Sequence, residues 1–212
     1  MNAHTGPSIE DIAAIKANYA LNDEQRAIID HVDRVAREIL HPLQEKMEIT
    51  APVELGGSGQ DEFTQALVSE ILSKWNPAVG LSHGAHDNLC LNNLLRNGSQ
   101  GQIEQYVPGL CNGTLVGALG LTEPGAGSDA LGSMATTAVR DGDDYVLNGT
   151  KIYITNGPIA DIVLVYAKTD KSKGAKGISA FIVETATPGF TVAQKLDKMG
   201  FRGSPTGELV FQ

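Results

Sequence analysis

The first half of the chain places its apolar residues at helical spacing. Between Asn22 and Lys46 they recur every three or four positions, and Asn22 followed by acidic residues is typical of a helix start. The same spacing predicts the later helices: Glu62–Trp75, Val79–Arg96 closed by Asn97-Gly98, and a shorter one from Ser99 to about Pro108.

After Cys111 the period of the pattern changes to two, which is typical of strands. The Asp-Gly pair in RDGDDY predicts a hairpin turn. Because chain ends and unpaired edges open most easily, the final strand is expected to be frayed or at an edge. The predicted strands are Leu115–Thr122, Ala135–Arg140, Tyr145–Asn148, Lys151–Thr155, Ile162–Lys168, Ile178–Glu184 and Leu209–Phe211.

This change of period predicts an α+β protein of two domains. Residues 1–112 are expected to form an all-helical N-terminal domain. Residues 113–212 are expected to form an antiparallel, β-barrel-like domain.

Composition narrows the classes of function. The 212 residues carry a net charge of -9, which disfavours a nucleic-acid partner because a phosphate backbone would be repelled. No apolar stretch approaches the roughly 20 residues of a membrane span, and the first residues lack the order of a signal or transit peptide. Cys90 and Cys111 form no disulfide framework, so a reducing, cytoplasm-like compartment is predicted.

Two stretches place hydroxyl groups beside unusual backbone. TEPGAGSD holds Thr122 and Ser128 around two glycines, which fits either a tight turn or a loop whose bare amides approach a phosphate or a polar ring edge. KIYITNG places Tyr153 and Thr155 two positions apart, so both point to one face of a strand. An ordinary half-buried strand has the same composition.

Two other stretches carry candidate ligand groups. SHGAHDNLC spaces His83, His86 and Cys90 along one helical face, but no fourth ligand is evident, packed histidines are the commoner case, and no metal site is predicted. DKSKGAKG, residues 170–177, is a strand connection with three lysines. It is either a solvated loop or a contact for an anionic ligand.

Taken together and in this order, the stretches resemble the acyl-CoA dehydrogenase family. GALGLTEPGAGSD looks like the family's flavin-binding signature, KIYITNG like its second flavin strand, and KLDKMGFRGSPTGELVF like the segment leading back from its β-domain. TAPVELGGSG, VGLSHGAHDNLC, LLRNG and NGPIADIVLVYAKTD are similar to its isovaleryl-CoA branch. The resemblance covers nearly the whole chain from Leu21 onward.

The resemblance implies a flavoenzyme that binds FAD and dehydrogenates an acyl-CoA thioester between its α and β carbons. The implied substrate is a short branched acyl-CoA of leucine catabolism and fatty acid metabolism, similar to isovaleryl-CoA. The implied partners are an electron-transfer flavoprotein as electron acceptor and further copies of the chain in a tetramer. The compartment is the bacterial cytoplasm or, in a eukaryote, the mitochondrial matrix. A flavin- or partner-binding fragment without turnover is the alternative.

The implied site residues carry over one by one from the matching motifs. On the acyl-CoA side the resemblance implies Ser128 together with Gly174 and Ala175. The cofactor-binding set is Leu119, Gly120, Leu121, Thr122, Gly127, Ser128, Tyr153, Ile154 and Thr155.

No catalytic residue is predicted in this chain. The family's catalytic glutamate belongs to a C-terminal helical domain, which would follow Gln212, and the flanks of another family helix are joined at Glu48–Ile49. Neither Glu70 nor Glu123 has a setting that marks it as a replacement base, because such a base must lie within reach of the substrate proton.

Overall fold

Residues 51–212 are described by the computed structural model, so the helix predicted from Asn22 to Lys46 and the junction at Glu48–Ile49 lie outside the described residues. The first part of the described chain is helical, in agreement with the sequence pattern. Its elements are a 3-10 turn (Val53–Leu55), α1 (Glu62–Trp75), α2 (Pro77–Gly84), a π-helical segment (Ala85–Leu91), α3 (Asn92–Asn97) and α4 (Gln100–Cys111).

Side-chain caps explain where these helices begin. The Asp61 carboxylate accepts a hydrogen bond from the Thr64 amide at 2.9 Å and starts α1, whose predicted bounds are confirmed. The Asn76 side chain caps α2. Ser99 and Gln102 form a reciprocal capping box at the start of α4.

Two predicted helix ends differ from the structure. Gly98 has a φ of -74° and is extended, so α3 ends without the left-handed glycine cap that the Asn-Gly pair suggests. Helix α4 passes through Pro108 and ends at Cys111. The extra residues stay helical because Leu110 and Cys111 are buried in the core, and this burial outweighs the hydrogen bond that proline removes.

The second part of the chain is one sheet of seven strands, which confirms the α+β class. The strands follow the order β1-β4-β2-β3-β7-β6, and β5 pairs with β4. All pairings are antiparallel except β1 with β4 and a single parallel contact of β2 with β4. The strands are β1 (Gly117–Gly120), β2 (Thr137–Asp141), β3 (Asp144–Thr155), β4 (Ile162–Lys168), β5 (Ile178–Glu184), β6 (Phe190–Lys195) and β7 (Thr206–Phe211), with a short helix α5 (Ala130–Ser133) and 3-10 segments Gly157–Ile159 and Lys171–Gly177.

The final strand is not an edge strand, so that prediction was wrong. β7 lies between β3 and β6 and is paired on both sides. Leu209 and Phe211 are buried in the core. The sequence pattern did not predict β6, the outer partner of β7, because the alternation of β6 is weak. The strands predicted as Tyr145–Asn148 and Lys151–Thr155 are one continuous strand, β3.

One hydrophobic core joins the helices to the sheet. The cluster contains Leu91 and Leu94 from the helical run, Val107 from α4, and Ile162 and Leu164 from β4. Hydrogen bonds cross the same interface, including Asn93 to Tyr166 at 2.9 Å. The helices therefore hold the β1 end of the sheet in place. Whether residues 112 and 113 separate two independent domains stays a prediction.

No helix within residues 51–212 combines the length and the apolar composition that crossing a membrane requires.

Candidate functional site

The TEPGAGSD stretch begins with a tight four-residue turn directly after β1. The Glu123 and Ala126 backbones exchange two hydrogen bonds of 3.0 and 3.1 Å, with Pro124 and Gly125 exposed at the tip. The first alternative, a tight turn, is confirmed, and the approach of its exposed glycine backbone to a ligand stays a prediction.

The strand of the KIYITNG motif meets this turn through its backbone. The Ile152 amide donates a hydrogen bond of 2.9 Å to the Thr122 carbonyl. A bulge in β3 makes this contact possible, because the pairing of β3 with β7 is interrupted between Lys151 and Ile154. Tyr153 lies in the bulge with a φ of 61°. Positive φ is uncommon for an aromatic residue and is frequent at binding sites.

A buried ion pair locks the two motifs together. The Lys151 Nζ atom lies 2.7 Å from Glu123 Oε1, and the two side chains are 0% and 3% exposed. The same ammonium donates to the Leu121 carbonyl at 3.2 Å. The Glu123 carboxylate also accepts hydrogen bonds from the amides of Ala135 at 2.5 Å and Thr136 at 3.0 Å.

This pairing sets the charge state of both groups. Burial opposes ionisation of Glu123, but the hydrogen bonds from Lys151, Thr136 and Ala135 outweigh it and hold the pKa of the carboxyl below its ordinary value. Burial lowers the pKa of the Lys151 ammonium, and the Glu123 carboxylate offsets part of that shift. The hydrogen bonds that lower the pKa of the Glu123 carboxyl therefore favour its charged form beside the Lys151 ammonium.

The hydroxyl groups singled out by the sequence have no hydrogen-bond partner within residues 51–212. This holds for the side chains of Thr122, Ser128, Tyr153 and Thr155. Tyr153 and Ser128 are exposed, and the two threonines are partly exposed. Polar groups without internal partners are open to water or a ligand, and we call these four hydroxyl groups on the joined motifs the polar surface.

Some residues of the predicted set contribute only backbone to this surface. Ile154 is 2% exposed and packs in a core cluster with Val163 and Leu209. Gly120 is buried, and Leu119 packs against the core that the helices share with β4. The side chains of Ile154 and Leu119 therefore hold the motifs in the sheet rather than facing a ligand.

The residues predicted for acyl-CoA come from neighbouring elements. Helix α5 begins two residues after Ser128 and packs against the Lys171–Gly177 segment, which contains Gly174 and Ala175. Lys168 strengthens this contact by donating to the Gly132 carbonyl at 3.2 Å. A groove of about 450 Å³ lies beside these elements. Its lining includes Pro124 and Gly125 of the turn, Ser133 of α5, and Lys171.

A separate cavity of about 430 Å³ lies elsewhere in the sheet, and its lining includes Tyr145, Phe181, Phe190 and Phe211. It shares no lining residue with the groove or with the polar surface.

The histidine stretch has a structural role in the described chain. His86 accepts a hydrogen bond from the Gly117 amide at Nδ1, 2.9 Å away, while its Nε2 faces the Leu110 carbonyl at 3.2 Å. Among residues 51–212, no group of three or more His, Cys, Asp or Glu residues could hold a metal ion.

Sequence reasoning missed Lys151 as a site residue. Its charge is a signal that was available, because a lysine in the middle of a central strand has to find a buried partner. Asn156 was also missed. It has a φ of 63° and donates through its side chain to the Ser82 carbonyl at 2.9 Å, which ties the end of β3 to α2.

Comparisons with known proteins agree with this arrangement. The model of the acyl-CoA dehydrogenase N-terminal domain matches residues 44–114, and that of the middle domain matches residues 118–212. The chain is 44% identical over 216 residues to the mitochondrial isovaleryl-CoA dehydrogenase of Pongo abelii, covering 91% of this chain and 51% of the relative. It spans about half the length of the curated relatives it matches.

Solved structures show the same fold. Butyryl-CoA dehydrogenase from Megasphaera elsdenii matches with a TM-score of 0.77 and 45% identity, over 82% of this chain and 47% of that chain. The FAD complex of PigA matches with a TM-score of 0.77 and 32% identity, over 92% of this chain and 56% of that chain. With both domain models and these relatives in agreement, the chain belongs to the acyl-CoA dehydrogenase family.

Proposed function

We propose that this chain forms the flavin-facing part of an FAD-dependent acyl-CoA dehydrogenase. The observation that carries the proposal is the hydrogen bond from Ile152 to Thr122, which joins two segments whose hydroxyl groups have no partner within residues 51–212. A flat polar ring is the kind of ligand that suits such a surface, since exposed amides and hydroxyls can meet its edge while Tyr153 covers a face.

The residues take distinct roles toward FAD. Thr122 and Thr155 donate hydrogen bonds to the polar edge of the ring, and the exposed Tyr153 ring, 65% accessible, packs on its face. Gly127 leaves space for a close approach. When bound, FAD supplies the redox chemistry, and the protein positions it and adjusts its electronics.

The acyl-CoA thioester is proposed to lie on the side of Ser128 and the Lys171–Gly177 segment. Gly174, with a φ of 55°, and Ala175 present exposed backbone there, and Lys171 adds a positive charge at the rim of the groove. The identity to isovaleryl-CoA dehydrogenase supports a short branched acyl chain as substrate.

We assign no catalytic base within residues 51–212. Glu123 is a buried carboxylate in the turn itself, but Lys151 and two amides already occupy its oxygens. Glu70 is exposed on α1. A base must be free and must lie within reach of the substrate proton. Glu123 is not free, and nothing in the described residues places Glu70 beside the two motifs.

The same proposal includes the wider setting of the enzyme. An electron-transfer flavoprotein is the proposed electron acceptor, and a tetramer is the proposed assembly, both on the strength of the family resemblance. The proposed compartment is the cytoplasm of a bacterium or the mitochondrial matrix of a eukaryote.

Turnover is tested in a chimera, because the chain spans about half the length of its relatives. The chain is joined to the C-terminal half of the Pongo abelii isovaleryl-CoA dehydrogenase, and flavin absorbance is followed with isovaleryl-CoA. Thr155→Ala should reduce flavin occupancy or reduction rate, since a lost hydrogen bond in a dry site costs about 1–3 kcal/mol. Ser128→Ala should act mainly on the acyl-CoA dependence.

Thr191→Ala is the matched control, because Thr191 is an exposed threonine on β6, away from both motifs. If Thr155→Ala and Ser128→Ala behave like Thr191→Ala, the residue assignments are wrong. A chimera that binds FAD but is not bleached by any acyl-CoA would favour the alternative, a flavin-binding fragment without turnover.

A further inference from the structure

The buried lysine of β3 contacts both motifs of the proposed flavin site. Through its ammonium Lys151 holds Glu123 and the Leu121 carbonyl, at 2.7 and 3.2 Å. Through the next residue in the chain, Ile152, its strand donates a hydrogen bond to Thr122. One residue therefore fixes the separation of the two segments by its side chain and by its neighbouring backbone.

Stability alone does not account for this ion pair. Removing an ammonium and a carboxylate from water costs several kcal/mol for each ion, and an apolar pair of similar volume is often at least as stable. Both side chains are almost completely buried. A charged pair at this position therefore points to a task that requires charge or a fixed geometry.

The hydrogen bond from Lys151 to the Leu121 carbonyl points to this task. The Leu121 oxygen and the Thr122 N–H belong to the same peptide unit, so a cation on the oxygen makes the N–H a stronger donor, as hydrogen bonds in series polarise one another. Within residues 51–212 no group accepts a hydrogen bond from the Thr122 N–H. The donor that Lys151 strengthens is therefore available to a ligand beside the turn.

We propose that Lys151 is a positioning residue that orients and polarises the Leu121–Thr122 peptide toward the polar edge of a flavin ring. Glu123 holds the ammonium at the Leu121 oxygen, and the amides of Ala135 and Thr136 hold Glu123 in turn. This inference rests on the proposed function, since it names the donor whose strength that site depends on.

The test uses the 212-residue chain and FAD as the probe. Lys151→Met removes the cation, and Glu123→Gln/Lys151→Met removes both charges while keeping one oxygen that can accept from the amide of residue 135 or 136. Lys195→Met is the control, because Lys195 is an exposed lysine on β6, outside both motifs. Each variant is measured for urea unfolding, FAD dissociation constant and the visible spectrum of bound flavin.

Lys151→Met is expected to weaken FAD binding about tenfold or more and to change the visible band of bound flavin. The double variant should regain much of the lost stability, because no unpaired charge stays buried, yet it should bind FAD as weakly as Lys151→Met. Lys195→Met should stay within about twofold of wild type. Recovery of FAD affinity together with stability in the double variant would overturn the inference, since the pair would then be structural only.

Amide exchange separates this inference from the proposed function. If neither the wild-type chain nor the chimera with the C-terminal half of isovaleryl-CoA dehydrogenase binds FAD, the flavin site of the proposed function fails. The positioning role of Lys151 is then tested by the exchange rate of the Ile152 amide, which donates a hydrogen bond to the Thr122 carbonyl. Its exchange should be about tenfold faster in Lys151→Met after correction by the core amide of Val163, and unchanged exchange would show that Lys151 does not hold the segments together.

Discussion

His86 Nδ1 lies 2.9 Å from the amide nitrogen of Gly117 and accepts its hydrogen bond. The acceptor comes from the π-helical segment and the donor from the first residue of β1, so a single side chain connects the helical part to the strand that leads into the TEPGAGSD turn. Nε2 faces the Leu110 carbonyl at 3.2 Å, which assigns the ring proton to Nε2. The histidine that the sequence suggested as a possible ligand is thus a backbone bridge.

Replacing this bridge should destabilise the fold. His86→Ala leaves the Gly117 N–H without its acceptor, and a buried polar group left unpaired costs about 1–3 kcal/mol. We expect a loss of that size in urea unfolding. Asn88→Ala, an exposed change in the same segment, should alter stability by no more than about 0.5 kcal/mol. Equal effects of the two changes would show that the bridge contributes nothing.

Close packing at Gly117 gives a second prediction. A Cβ atom at this glycine would lie 2.5 Å from Cys90 Sγ and 2.8 Å from Cys90 Cβ, and both residues are buried. Gly117→Ala should therefore cost about 1–3 kcal/mol, the usual cost of overpacking. The control, Gly101→Ala in α4, should change the stability in the opposite direction. A Cβ atom at Gly101 would have nothing within 4 Å, so this variant should be more stable by about 0.4–1 kcal/mol. Thermal unfolding of the two variants measures both.

The position of β7 predicts a pattern of amide exchange. Because β7 is paired with β3 and β6, its amides should exchange slowly, like those of the β3 residues that pair with it on either side of the bulge. β6 is mostly exposed, and β7 is its partner in the described part of the sheet, so β6 should exchange faster. Exchange measured by NMR or mass spectrometry checks this order. Faster exchange in β7 than in β6 would contradict the sheet order.

Local signals in the sequence were sufficient for most elements. The helical spacing of apolar residues predicted the bounds of α1, and the strand pattern predicted those of β4 and β5, because each of these signals lies within the element that it defines. The motifs around Thr122 and Tyr153 could be placed through family resemblance.

What the sequence could not supply depends on contacts between distant residues. β7 became a central strand because β6 pairs with it, and the alternation of a strand does not state how many partners it has. The bulge at Tyr153 accompanies the hydrogen bond from Ile152 to Thr122, thirty positions away in the chain. The partner of Lys151 could not be predicted either, because Glu123 lies in a turn, where a carboxylate is ordinarily expected to be solvated.

Because of the Glu123 carboxylate, the stability of the fold should decrease as the pH falls in the acidic range. Its pKa lies below the ordinary value of 4.5, since hydrogen bonds from Lys151, Thr136 and Ala135 outweigh the effect of burial. A group with a lowered pKa in the folded state contributes stability above its unfolded pKa, and this contribution is lost as pH falls through the folded pKa. Between the ordinary value of 4.5 and the lower pKa of the folded state, the unfolded chain binds a proton that the folded chain does not.

Glu123→Gln should therefore show a weaker pH dependence of unfolding than wild type below pH 4.5, the ordinary pKa of the carboxyl. The slopes should differ by up to about 1.4 kcal/mol per pH unit, the limit for one proton. Val107→Ala serves as the control, because it weakens the core without removing a titrating group and should run parallel to wild type. Urea unfolding at several pH values measures the slopes. If Glu123→Gln also runs parallel to wild type, the Glu123 carboxylate is not held in its charged form by the fold.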